Sequence, residues 1–279
     1  MLKKLNLISV LFATVMFSLN AFADEENPTS GDCGEHCSWK MENDVLTITG
    51  YGKMKNYSHE NHYAPWYWNK DNISKIVIEN ESEEQKLTSI GRAAFDDMHR
   101  VSEIVLPDGI EEIGHFACYN CRSLEKIDFP EGLKSIGTWA FGQARLSQID
   151  IPESITNIYA WAFQLTDLTH VVIPENTLLD PNAFFNDSRK IEARTTPIIE
   201  IYCSQNNMEQ CRKAVAYRGD LAQVIEYEKL PDGKYFAHGK FYDSLNSIGT
   251  PNYIKKRIYT IDEANRVAGK VNSVKIRYR

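Results

Sequence analysis

Hydrophobic and polar positions alternate along this chain in short bursts, and the bursts repeat. Ile90-Gly-Arg-Ala-Ala-Phe95 returns as Ile113-Gly-His-Phe-Ala-Cys118, Ile136-Gly-Thr-Trp-Ala-Phe141 and Ile158-Tyr-Ala-Trp-Ala-Phe163, then more loosely as Leu179-Asp-Pro-Asn-Ala-Phe184. Between the copies runs a second phrase that ends in proline: Ile104-Val-Leu-Pro107, Ile127-Asp-Phe-Pro130, Ile149-Asp-Ile-Pro152 and Val171-Val-Ile-Pro174. The shared alanine falls at 94, 117, 140, 162 and 183, in steps of 23, 23, 22 and 21 residues. A period of that size predicts a solenoid built from stacked units.

Side-chain alternation sorts each unit into inner and outer positions. Ile104/Leu106, Ile127/Phe129, Ile149/Ile151 and Val171/Ile173 are expected to point inward from short parallel strands. Ile90, Ile113, Ile136 and Ile158 turn the corner, and Ala94/Phe95 with their equivalents fill the centre. One unit buries few large side chains, at ~1.5–3 kcal/mol each. Ordering its backbone costs ~1–2 kcal/mol per residue, so a lone unit is unstable and needs neighbours. The outward positions form rows: Lys75/Val77, Glu103/Val105, Lys126/Asp128, Gln148/Asp150 and His170/Val172. Another row precedes the Ala-Phe pair, as Phe116, Trp139 and Trp161. These three aromatics are either structural cladding or an exposed adhesive ladder.

A solenoid needs its apolar ends closed. Residues 24–86 are expected to form an N-terminal β cap. In it, Trp39-Lys-Met41 and Val45-Leu-Thr-Ile-Thr49 pair around Asn43-Asp44, and Trp66 and Trp68 supply closure. An aromatic carbohydrate site is the alternative reading of that tryptophan pair. The repeats occupy 87–194. Ile198-Ile-Glu-Ile-Tyr202 and a helical stretch over 204–217 predict a strand–helix cap over 195–229. Residues 230–279 read as a small α+β tail module, with a hairpin near Lys234–Tyr242 and a strand at Ile258-Tyr-Thr260. A helix opens at the capping box Thr260-Ile-Asp-Glu263, and a final strand covers Val274–Arg279.

The phrase Ile-Gly-x-x-Ala-Phe followed by Ile-x-Ile-Pro resembles the BspA-like leucine-rich repeats of secreted and surface proteins. The opening Cys33…Trp39…Leu46-Thr-Ile-Thr-Gly50…Ala64-Pro-Trp66 is similar to the segment that precedes those repeats in many members. The resemblance spans about Cys33 to Phe184. It implies a leucine-rich-repeat solenoid, β-rich with a short strand per repeat, and a role in adhesion or protein–protein interaction. No cofactor is expected.

Charge and leader narrow the setting. Lys3 and Lys4, an apolar run from Leu5 to Leu19 and Ala21-Phe-Ala23 predict a signal peptide over 1–23. Its loss would take the formal charge from −7 to −9. An acidic chain is a poor partner for nucleic acid. No later stretch is apolar enough to span a bilayer. The expected location is therefore secreted, periplasmic or cell-surface.

Six cysteines after the leader suit an oxidising compartment and fall into local pairs, Cys33/Cys37, Cys118/Cys121 and Cys203/Cys211. His115-x-x-Cys118-x-x-Cys121 has metal-like spacing. Yet no fourth ligand lies nearby, and Cys118 takes the register of the inward phenylalanines. Core packing or a local disulfide is the expectation there. No hydrolase elbow, zinc-protease helix or phosphate loop is present, so an enzyme is not expected. The candidate binding residues are Lys126, Asp128, Gln148, Asp150, His170 and Val172 on the strand face, with the aromatic row second. The partner expected is a protein or surface polymer. The alternative is a non-catalytic envelope assembly protein attached through its C-terminal module.

Overall fold

The computed structural model describes residues 27–58, 62–185, 199–215, 222–237 and 239–248. The expected leader and the tail elements expected beyond residue 248 lie outside the described residues.

Successive repeats lay their strands side by side in two parallel ladders. The first begins with antiparallel β1 (Ser30–Gly34), β2 (Cys37–Glu42) and β3 (Val45–Gly50) and continues in parallel through β5 (Lys75–Asn80), β7 (Glu103–Val105) and β9 (Lys126–Ile127). The second runs in parallel through β4 (Gly52–Lys53), β6 (Leu87–Ile90), β8 (Glu112–Ile113), β10 (Ser135–Ile136), β11 (Asn157–Ile158) and β13 (Leu178–Leu179). Ile76, Ile104 and Ile127 are in register in the first ladder, and Ile90, Ile113, Ile136 and Ile158 in the second. All seven are buried. The glycine after the corner isoleucine is a matter of space. A Cβ on Gly137 would sit 2.6 Å from the His115 nitrogen, so any side chain would push the repeats apart.

The remaining side of each repeat is a turn with an unusual backbone. Ala93, Phe116, Trp139, Trp161 and Asn182 all have φ between 50° and 63°. Asp97, Asn120, Gln143 and Leu165 repeat that left-handed conformation four residues later. Each such residue costs roughly 1–2 kcal/mol relative to a right-handed one. The return is a hydrogen-bond ladder in which every second amide donates to the next repeat. The Ala93, Phe95 and Asp97 amides donate to the His115, Ala117 and Tyr119 carbonyls at 3.0, 2.7 and 2.8 Å. Phe116, Cys118 and Asn120 do the same towards Thr138, Ala140 and Gly142.

Inside this side runs the phenylalanine column. Phe141, Phe163 and Phe184 stack at 5.5 and 5.3 Å with nearly parallel rings. Trp66 continues the column beyond Phe95, at 5.7 Å. Cys118 interrupts it. Phe129, where the other repeats carry Leu106, Ile151 and Ile173, packs against Phe141 at 5.6 Å. The extra volume of Phe129 thus accompanies the volume missing at Cys118.

Both ends of the core are occupied. Cys33 and Cys37 form a disulfide across the β1–β2 turn, and buried Trp39 meets Trp66 edge-on at 5.8 Å. At the far end, β14 (Ile199–Ser204) pairs with β12 (His170–Ile173) and leads into helix α1 (Met208–Ala214), tied back by the Cys203–Cys211 disulfide. The helix's last carbonyls, at Lys213 and Ala214, accept from the Asn182 and Phe184 amides. These are carbonyls that a helix end leaves unpaired.

β15 (Ala222–Lys229) extends the sheet of β12 and β14, and the hairpin of β16 (Tyr235–Ala237) and β17 (Lys240–Tyr242) extends it further. The first tail hairpin is therefore continuous with the sheet. A 3₁₀ turn at Leu245–Ser247 follows. Tyr235, Ala237, Tyr242, Leu245 and Ile248 build a second apolar cluster with Val172, Tyr202 and Tyr227.

One expectation is corrected, and of the two readings of Cys118 and Cys121 core packing holds. Val172 does not face solvent: it is buried in that second cluster, because chain from far downstream covers its end of the sheet. Cys118 and Cys121 are not bridged; both are buried free thiols. Each fills a core position, and the Cys121 thiol donates to the Phe95 carbonyl at 3.1 Å.

Candidate binding surfaces

The outer positions of the first ladder form a strip of mixed character. Lys75 pairs with Glu103 across β5 and β7 at 2.8 Å, and Lys126 with Asp128 at 2.9 Å. Between them Val105 is 38% exposed, an apolar side chain framed by charges. Lys126, Asp128, Gln148 and Asp150 are exposed as expected from alternation, and Gln148 bridges His170 in parallel register. The Asp150 carboxyl is held above its ordinary range by partial burial and by neighbouring Asp128, against a smaller opposing effect of His170. That is a site where a positive group from a partner would be favoured.

His170 belongs to the border of this strip. It is half-buried against the Tyr202 ring, 4.9 Å away, and neither ring nitrogen makes a well-directed hydrogen bond. Burial lowers its pKa, while Glu200, the Ile248 backbone and Asp150 act the other way. Tyr202 donates to Glu200 at 3.0 Å beside it. Of the six strand-face residues, four lie together on the open strip. His170 and Val172 are drawn under the C-terminal hairpin region.

The aromatic row is brought together but only half-displayed. Phe116 and Trp139 stack at 6.3 Å, and Trp139 meets Trp161 at 5.7 Å. All three are half-buried. Tyr119 wedges edge-on between Phe116 and Trp139, at 5.8 and 5.4 Å, and its hydroxyl accepts from Gln143 at 2.5 Å. Tyr119 was not singled out from the sequence, although it shares the repeat register of Gly142. Interlocked rings of this kind rigidify the turn side while each stays partly exposed.

The tryptophan pair divides. Trp66 is fully buried, whereas Trp68 is 64% exposed. Among the described residues there is no cluster of three metal-binding side chains, and no helix is long and apolar enough to cross a membrane.

Residues 64–192 match the BspA type Leucine rich repeat region in six copies, one more than the Ile–Ala–Phe phrase displays. No functionally curated protein matches the chain. Among solved structures it is similar to a leucine-rich repeat protein from Eubacterium ventriosum, with 19% identity and a TM-score of 0.48 over 75% of this chain and 48% of that one. A leucine-rich repeat protein from Bacteroides ovatus gives 20% identity and a TM-score of 0.39, over 63% of this chain and 47% of that one. A leucine rich cell surface protein from Faecalibacterium prausnitzii gives 17% and 0.37, over 75% and 61%. The chain spans about half to three-fifths of the length of these proteins. By its six matched copies, the segment from residue 64 to residue 192 is a BspA type leucine-rich repeat region.

Proposed function

We propose that this chain is a capped leucine-rich-repeat solenoid that works, secreted or at a cell surface, as a non-catalytic protein-binding module. Its contact surface is the open strip that follows the first ladder and continues past its last strand, from Val77 through Val105, Lys126 and Asp128 to Gln148 and Asp150. One observation carries the reading. This strip combines an exposed apolar residue, paired charges and one carboxylate of raised pKa, whereas the adjoining stretch of the outer face is covered by the chain itself. Interfaces favour such a mixture of apolar centre and polar rim.

The experiment is affinity capture with residues 24–279, followed by identification of what is retained. Charge reversal at Asp128 and Asp150 together is expected to abolish capture while leaving the circular dichroism and melting curve in place. The envelope-assembly alternative is separated by a chain ending at Ile248. Cutting before residue 230 would uncover Val172, Tyr202 and Tyr227 and confuse exposure with loss of a binding element. Capture that survives Asp128→Lys/Asp150→Lys but is lost on removing 249–279 would replace the strand-face reading with attachment through the tail.

A further inference from the structure

A second surface, apart from the strand face, is built on the 3₁₀ helix Tyr67–Asn72. In a helix of three residues per turn, side chains three apart eclipse, so Trp68 and Asp71 share one face. Trp68 is the most exposed large hydrophobic residue among those described. Its ring is nevertheless fixed in place. Tyr63 and Tyr67 stack at 4.3 Å, and Trp68 stands edge-on to both, at 5.7 and 5.5 Å. Lys70 lies 4.4 Å from the Tyr67 ring centroid, and its ammonium is anchored by Asp97. The Trp68 carbonyl accepts from the Asn27 side chain at 3.2 Å. A flat aromatic ring is thus presented to solvent by a scaffold that leaves it little freedom, which lowers the cost of binding.

The rim of this platform is polar and planar. The Asp71 carboxylate stands 3.2 Å from the His99 imidazole, and its backbone carbonyl accepts from Arg100 at 2.7 Å. One carboxylate, one imidazole and one guanidinium therefore cluster at Asp71, three residues along the 3₁₀ helix from the exposed indole. A protein helix or strand needs a wider apolar surface than three rings. A nucleic acid would meet an acidic chain. A pyranose ring fits both features, because its C–H face packs on an indole and its equatorial hydroxyls reach groups that accept and donate in plane.

We propose that this surface is a glycan-binding site for a neutral sugar chain. A pyranose stacks on Trp68 and hydrogen-bonds through its hydroxyls to Asp71, His99 and Arg100. The site is independent of the strand-face reading, since its residues share none of that strip.

The test uses residues 24–279 on an array that carries neutral plant, fungal and mucin-type glycans beside sulfated and sialylated ones, followed by titration of the best free oligosaccharide with tryptophan fluorescence and calorimetry. Wild-type protein is expected to bind at least one neutral oligosaccharide. Trp68→Ala should weaken that binding tenfold or more, Asp71→Asn severalfold, and Trp68→Phe less than Trp68→Ala. The Asp128→Lys/Asp150→Lys variant should bind the sugar as wild type does. Melting curves exclude unfolding, since exposed Trp68 contributes little to the core. Three results would overturn the proposal: no neutral glycan bound by wild type, binding unchanged in Trp68→Ala, or retention of sulfated or sialylated glycans alone.

Discussion

The indole nitrogen of Trp66 donates to the Ala94 carbonyl at 2.8 Å, while the Tyr57 amide donates to the Arg92 carbonyl at 2.8 Å. Arg92 and Ala94 are the counterparts of His115 and Ala117, which accept from the preceding repeat. A side chain and a loop amide thus replace the donors that no earlier turn supplies. Trp66 also ends the phenylalanine column. Trp66→Ala should therefore cost ~3–5 kcal/mol of stability. Trp66→Phe keeps most of the stacking, loses the bond to buried Ala94 and should cost ~1–3 kcal/mol. Denaturant melts of the two variants measure both numbers, and unchanged stability in Trp66→Phe would show that the hydrogen bond contributes nothing.

Cys118 and Phe129 are expected to be coupled. Phe at 118 would restore the column but meet the volume that Phe129 already supplies, an overpacking that typically costs ~1–3 kcal/mol. Replacing Phe129 by Leu alone should leave a void of similar cost. The double variant Cys118→Phe/Phe129→Leu should be closer to wild type than the sum of the single changes. A double-mutant cycle gives the coupling directly, and strict additivity would disprove the exchange of volume.

The thiol inventory is a separate check. Burial raises the Cys121 thiol well above its ordinary pKa, and its neighbour Cys118 raises it further. Thiolate is the reactive form. A thiol reagent should therefore find no reactive cysteine in the native protein and two after unfolding without reductant, with four held in disulfides. Zero thiols after unfolding would mean that Cys118 and Cys121 are bridged.

His170 links stability to acidity. Burial lowers its pKa from 6.5, against Glu200, the Ile248 backbone and Asp150. The unfolded chain then binds the proton more readily than the native one. The contribution is fully present above pH 6.5 and is lost as pH falls through the lowered native value. Melting temperature should drop between pH 7.5 and 5 more steeply in wild type than in His170→Gln. Parallel profiles would remove His170 as the cause.

Much of this architecture is legible in the repeat, because core positions obey one register. Ile90 to Ile158, Ala94 to Ala183 and the phenylalanines are buried where alternation places them. The rest depends on chain that returns from elsewhere. Val172 reads as outward by its own strand, yet Tyr235, Leu245 and Ile248 cover it, and periodicity is blind to a cover some seventy residues downstream. Trp66 and Trp68 look alike in composition and differ only in which side of a 3₁₀ turn they occupy. The left-handed backbone at Phe116, Trp139 and Trp161 has no local signal either, since tryptophan is not a residue that seeks that conformation. Only the neighbouring repeat makes it favourable.

The ladder on the turn side runs one way: each turn donates forward and accepts from behind. A duplicated unit spliced between two others finds donors and acceptors already waiting, so gene-level expansion in the interior is structurally neutral. The termini have no such tolerance. Asn182 and Phe184 depend on Lys213 and Ala214 at the end of α1. A deletion that removes this helix would take away both acceptors and open the end of the core to water, and a lineage that lengthens or shortens this protein should keep the helix and vary the turns before it.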